Sequence, residues 1–107
     1  MSKKSPRYRV KIQDEAVDEL DRIYSFICED SASRARSFLR ALKSGIFSLR
    51  ELPRRGTRVQ LLEDETSPGE VRFLEHRGYL IFYTTDEKEV TVLHVTGPGQ
   101  NWMRLFF

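Results

Sequence analysis

Cysteine occurs once in this 107-residue chain, tryptophan once and histidine twice, and no apolar run is long enough to span a bilayer. With Cys28 alone, no internal disulfide can form, which fits a reducing compartment. No second thiol and no metal-ligand spacing surrounds Cys28, so it reads as a packed or semi-exposed bystander rather than a nucleophile. His76 and His94 stand at unrelated positions and make no ligand set with it, and neither a metal nor another cofactor is expected. The Gly97-Pro98-Gly99 stretch lacks the length of a phosphate-binding loop and the helix that would follow one. Residues 1–11 carry charge without an apolar run, so no signal peptide is expected and the cytoplasm is the expected location. Internal repeats and low-complexity runs are missing as well.

What is present suits one small domain. A hydrophobic fraction of 39% supports one modest core at this length. Charged residues make up 32%, yet the net charge is only +2, which does not by itself mark a nucleic-acid binder. The signs are separated along the chain. Lys3, Lys4, Arg7, Arg9 and Lys11 load the N-terminus, and Arg34, Arg36, Arg40, Lys43, Arg50, Arg54, Arg55 and Arg58 load the middle. Acids gather at 14–21, 63–65 and 86–89. Such separation suits a charged partner or, equally, solvated helix faces.

Tyr8, Val10 and Ile12 alternate with polar residues, which predicts a half-buried strand. Asp14 suits an N-cap, and Ala16, Leu20, Ile23 and Ile27 then form one helical stripe, widened by Val17, Tyr24 and Phe26. The Glu29-Asp30-Ser31 cluster breaks that helix and caps a second one. There Ala32, Ala35, Leu39, Leu42, Ile46 and Leu49 recur at three- and four-residue steps through Leu52, with Phe38 and Phe47 beside them. Gly45 inside this helix costs about 1 kcal/mol relative to alanine, which suggests a close approach or a bend. Pro53 ends it. A turn at 54–56, a short strand over 58–62 and a polar loop at 63–69 follow. Strands over 70–76, 79–85 and 89–95 complete the chain, joined by tight turns at 77–78 and 86–88. The expected fold is α+β: a two-helix hairpin on one face of a small twisted antiparallel sheet.

The order of these pieces resembles the ParE/RelE superfamily of toxins from type II toxin–antitoxin modules. The resemblance runs from Tyr8 to Phe106 and rests on several short stretches. They are Tyr8-Arg9-Val10, Ala16…Leu20…Ile23, Ala32…Ala35…Phe38, Leu52-Pro53…Gly56, Val71-Arg72…Tyr79…Ile81…Tyr83, Val92-Leu93-His94-Val95 and Asn101-Trp102. It implies a toxin silenced in a hetero-oligomer by a ParD-like or RelB-like antitoxin whose disordered tail folds on binding. It implies one of two mechanisms: poisoning of DNA gyrase, as in ParE-like members, or cutting of messenger RNA on the ribosome, as in RelE-like members. A third reading is a non-toxic homologue acting only with its antitoxin in promoter repression.

Metal-free RNA cleavage needs a base, an acid and cations on the phosphate. The residue types for it are Arg72, His76, Arg77, Tyr79, Tyr83, His94 and Arg104. Arg72 and His76 share one strand face and can bracket a phosphate, or serve as a sheet-to-helix bond and a polar strand end. His94 falls on the face of Val90 and Val92, where a hydrogen-bonded core role is expected. Where RelE-like toxins place an arginine before the turn into the central strand, this chain has Glu75, which would repel a phosphate. Beyond the last strand it carries an uncharged stretch and an apolar tail in place of a basic one. A ParE-like protein that acts by binding is therefore favoured, with His76, Arg72 and Arg104 keeping the nuclease open. An arginine–histidine–tyrosine cluster gathered in one solvent-open hollow would overturn the non-catalytic expectation. The expected target- or antitoxin-binding residues are Arg54, Arg55, Arg72, His76, Arg77, Trp102, Arg104, Leu105, Phe106 and Phe107. Trp102, Leu105 and Phe106 equally suit a cap on the domain's own core.

Overall fold

The computed structural model describes residues 7–66 and 69–107. Lys3 and Lys4 of the basic N-terminus, and residues 67–68 of the polar loop, lie outside them.

The alternating segment forms strand β1 (Arg9–Ile12), and helices α1 (Asp14–Cys28) and α2 (Ala32–Phe47) follow as a hairpin. Asp14 is the first helical residue rather than the cap, and with Glu15 it places negative charge on the positive end of the helix dipole. Ser31 caps α2 as expected, its Oγ accepting the Arg34 amide at 3.2 Å. α-Helical geometry stops at Phe47 and a 3-10 turn, Ser48–Arg50, takes over, so the stripe does not reach Leu52 as expected. Leu49 is buried, whereas Leu52 is 60% exposed. Ala32, Val17 and Phe26, also expected on the buried faces, are exposed.

The strand expected over 58–62 is only β2 (Thr57–Arg58), because the chain curls into a second 3-10 turn, Gln60–Leu62. Arg58 grips Glu63 across that turn through both Nε (3.0 Å) and Nη2 (2.8 Å), and Leu61 stays exposed rather than burying a strand face. Strands β3 (Val71–His76), β4 (Tyr79–Thr85) and β5 (Glu89–Thr96) form the meander. Arg77 and Gly78 link β3 to β4 with φ of 52° and 87°, the left-handed pair that a two-residue hairpin needs to match strand twist.

The sheet order is β1-β5-β4-β3-β2. The meander is antiparallel, but β1 lies parallel to β5, with Val10 opposite Val90 and Ile12 opposite Val92. The expected antiparallel sheet is therefore mixed. The helical hairpin carries the chain from β1 at one edge of the sheet to β2 at the other, and the meander then returns it to lay β5 beside β1.

Both faces of the sheet are covered. On one, Ala16 and Leu20 of α1 and Leu42 and Ile46 of α2 pack on Leu74, Ile81, Tyr83, Val90, Val92 and Val95. On the other, the C-terminal 3-10 turn Trp102–Leu105 lays Trp102 and Phe106 over Phe82, with ring centroids at 5.1 and 5.3 Å. A bulge separates the two environments of β5: Phe82 pairs with His94 but Tyr83 pairs with Val92, leaving Leu93 extra. His94 thereby moves off the face of Val90 and Val92, where simple alternation puts it, and meets Phe106 edge-on at 5.2 Å.

β1 stops short of the end of β5. Its last rung is the Gln13 amide on the Val92 carbonyl, and Glu19 of α1 continues the ladder. Glu19 accepts the Val95 amide on Oε1 at 2.7 Å and contacts His94 Nδ1 through Oε2 at 2.9 Å. A side chain here replaces a missing strand.

Candidate functional site

A cleft of about 650 Å³ opens between the tip of the helical hairpin and the β3–β4 turn. Its floor is aromatic: Phe38 of α2 packs on Tyr79 at 4.7 Å and on His76 at 5.5 Å. Arg77 stands at the rim on the sheet side, Arg34 on α2, and Glu29 and Asp30 at the end of α1. Asp30 and Arg34 form an exposed i,i+4 pair at 3.4 Å, while none of the ion pairs seen among the described residues engages Glu29 or Arg77. His76 also lines a smaller neighbouring cleft with Gly45 and Arg55. Gly45 leaves that space open: a Cβ there would find nothing nearer than Arg55 Nη2 at 4.0 Å.

The structure thus gathers His76, Arg77 and Arg55 along one trough beside α2, together with Tyr79. Arg34, His76, Arg77 and Tyr79 make up an arginine–histidine–tyrosine group in one open hollow, so the expected absence of such a cluster, on which the non-catalytic expectation rested, does not hold.

Arg72 is committed elsewhere. Its Nη1 donates to the Gly56 carbonyl at 2.7 Å, and its Nε and Nη2 donate to Glu70 Oε1 at 3.1 and 2.7 Å. Tyr83, beside it on the same sheet face, accepts the Gly56 amide on its hydroxyl at 3.0 Å. Burial pushes the Tyr83 hydroxyl above its ordinary pKa, and Arg72 holds the Glu70 carboxyl below the usual carboxylate value. Only glycine fits at position 56, since a Cβ would lie 2.6 Å from Tyr83 Oη and 2.7 Å from the Phe73 carbonyl oxygen. Residue 56 is therefore clamped from both sides, and Arg72 and Tyr83 act as its clamp.

Arg54 leans toward Glu70 at 3.5 Å, and Arg55 donates from Nε to Ser48 Oγ at 3.1 Å. Glu63 is held down to about 2 by its bonds to Arg58 and to the Val71 amide. The basic middle of the chain is thus partly neutralised by its own acids. Glu75 accepts the Gly78 amide on Oε2 at 2.7 Å and braces the turn. In the tail, Trp102 and Phe106 cover the sheet's second face, Leu105 borders α1, Arg104 is exposed, and Phe107 is 74% exposed. Trp102, Arg104, Phe106 and Phe107 line neither cleft of the trough, whereas Leu105 shares an adjoining hollow with Tyr79 and Phe26.

Phe26, Phe38, Glu19 and Glu70 are the residues that sequence reasoning passed over as site or anchor. Phe26 carried a signal, because position 26 falls off the Ala16–Leu20–Ile23–Ile27 stripe, and it is 71% exposed. The two glutamates carried none.

The family model described as the ParE toxin of the type II toxin–antitoxin system, parDE, matches residues 10–102. The chain belongs to the ParE toxin family. Among solved structures, a chain of the chromosomal ParDE system from P. aeruginosa is similar with a TM-score of 0.66 and 18% identity, covering 88% of this chain and 99% of that one. A chain of the RelBE2 toxin–antitoxin complex from Mycobacterium tuberculosis is similar with a TM-score of 0.58 and 20% identity, covering 92% and 100%. No curated protein matches. At these identities the structural likeness establishes the shared α+β fold. Among the described residues, no helix is long and apolar enough to cross a membrane.

Proposed function

We propose that this ParE-family toxin inhibits bacterial growth by binding DNA gyrase and is neutralised by a cognate ParD-like antitoxin. The observation that carries the binding mechanism is the commitment of Arg72. Arg72, the cation on the same strand face as His76, is bonded to Gly56 and Glu70 and lines neither cleft with His76, so the two do not bracket a phosphate. Around the remaining candidates Glu29 and Asp30 stand on the rim against Arg34 and Arg77, and an RNA backbone would meet repulsion from the side of Glu29, which joins no ion pair seen among the described residues. The trough, the Arg54–Arg55 loop and the exposed part of the tail are the binding surfaces in this reading. An antitoxin that folds onto them would bury their apolar parts.

A second reading has one specific point in its favour. His76, Arg77, Arg34 and Tyr79 share an open hollow, which provides an imidazole, a phenol and two cations for ribosome-dependent cleavage of messenger RNA. One experiment separates the two: purified protein is added in parallel to a gyrase supercoiling assay and to translating ribosomes. The expected result is loss of supercoiling with intact messenger. Messenger cut at codon boundaries with gyrase unaffected would reject the gyrase reading.

A further inference from the structure

We infer that the free chain pairs with a second copy of itself across the hairpin-tip cleft, Phe26 of each copy entering the cleft of the other. This surface carries a knob and a hole side by side. Phe26, 71% exposed, borders the large cleft on one side and a second hollow beside the tail on the other, so it stands as a ridge between them. The cleft next to it is floored by Phe38 and Tyr79, rings that accept another ring in tilted or edge-on contact.

The rim charges select the occupant. Glu29 at the end of α1 and Arg77 at the sheet turn are opposite in sign, and neither joins an ion pair seen among the described residues. An acidic peptide would be drawn to Arg77 and repelled by Glu29, and a basic one the reverse. A copy related by a two-fold axis brings Arg77 to Glu29 twice, because every contact in such an interface is made in both directions. One apolar knob and one cleft per copy is a small interface, so the dimer is weak and concentration-dependent. The pairing occupies the trough of the toxin and competes with any other partner there. It stands independently of whether gyrase is the target.

The test is sedimentation velocity on the purified full chain, free of other proteins, from about 1 to about 200 µM, the range that spans weak association. The average mass should climb from 12.6 kDa toward twice that value. Phe26→Ser should shift the midpoint to at least about tenfold higher concentration, an amount that about 1.4 kcal/mol represents. Arg77→Glu and Glu29→Arg should each weaken pairing, and the double variant should restore it by re-forming both rim pairs in swapped order. All three positions are exposed, so circular dichroism should match the parent chain. A monomer throughout the range overturns the inference. So does a dimer indifferent to Phe26→Ser, or charge swaps that add rather than cancel.

Discussion

Replacing Tyr83 with phenylalanine isolates one atom of the clamp on Gly56. The ring is fully buried and its packing is kept, so the change removes only the hydroxyl that accepts the Gly56 amide at 3.0 Å. Orphaning a partly buried amide costs about 1–3 kcal/mol, offset in part because the hydroxyl itself need no longer be desolvated. The net expectation is a loss of about 1–1.5 kcal/mol, or about 5–10 °C in Tm for a domain of this size. Arg72→Met keeps the stem but removes the charge-assisted bond to the Gly56 carbonyl, with an expected loss of about 2 kcal/mol. Both side chains hold the same residue. Once one is gone the loop is freer, and the second removal should cost at least about 0.5 kcal/mol less than it does alone. Thermal melts of the two single variants and the double variant measure all three quantities. An unchanged Tm for Tyr83→Phe, or strictly additive losses, would refute the clamp.

The Glu63 carboxyl is held at about 2 in the fold, against 4.5 for an ordinary glutamate, by Arg58 and the Val71 amide. Its contribution is therefore full above pH about 4.5 and fades as pH falls from there toward about 2, the depressed-carboxylate direction. Melting wild type and Glu63→Gln across that window should show their difference in Tm shrinking with acidity; a constant difference would contradict it. Phe82→Ala, beneath Trp102 and Phe106, should cost about 3–5 kcal/mol in urea unfolding, and a loss below about 1 would mean the tail does not seal that face. Glu19→Ala strips the Val95 amide of its acceptor and His94 of its partner, with about 2 kcal/mol expected and hydrogen exchange at Val95 accelerated. Slow exchange at that amide in the variant would show that another group completes the ladder.

The sequence by itself determined the elements whose cause is local. Apolar spacing in α1 and α2, the Ser31 cap and the Arg77-Gly78 turn act within a few residues. Tertiary structure decided what depends on distant partners. β1 and β5 pair in parallel although both helices and three strands separate them in the chain, and Gln60–Leu62 curls because Arg58 finds Glu63. One inserted residue, Leu93, turned His94 to the opposite face, and no periodicity announces a bulge. The candidate site divided the same way. His76, Arg77 and Arg55 were legible as residue types, but their meeting with Phe26 and Phe38 was not, because it joins positions from both helices, β3 and two connecting segments. Arg72 was legible as either a phosphate cation or a structural bond, and the fold decided for the bond by bringing Gly56 and Glu70 to it. Periodicity reports which face a side chain takes along its own element, whereas charge pairing and pocket walls are set by which elements become neighbours.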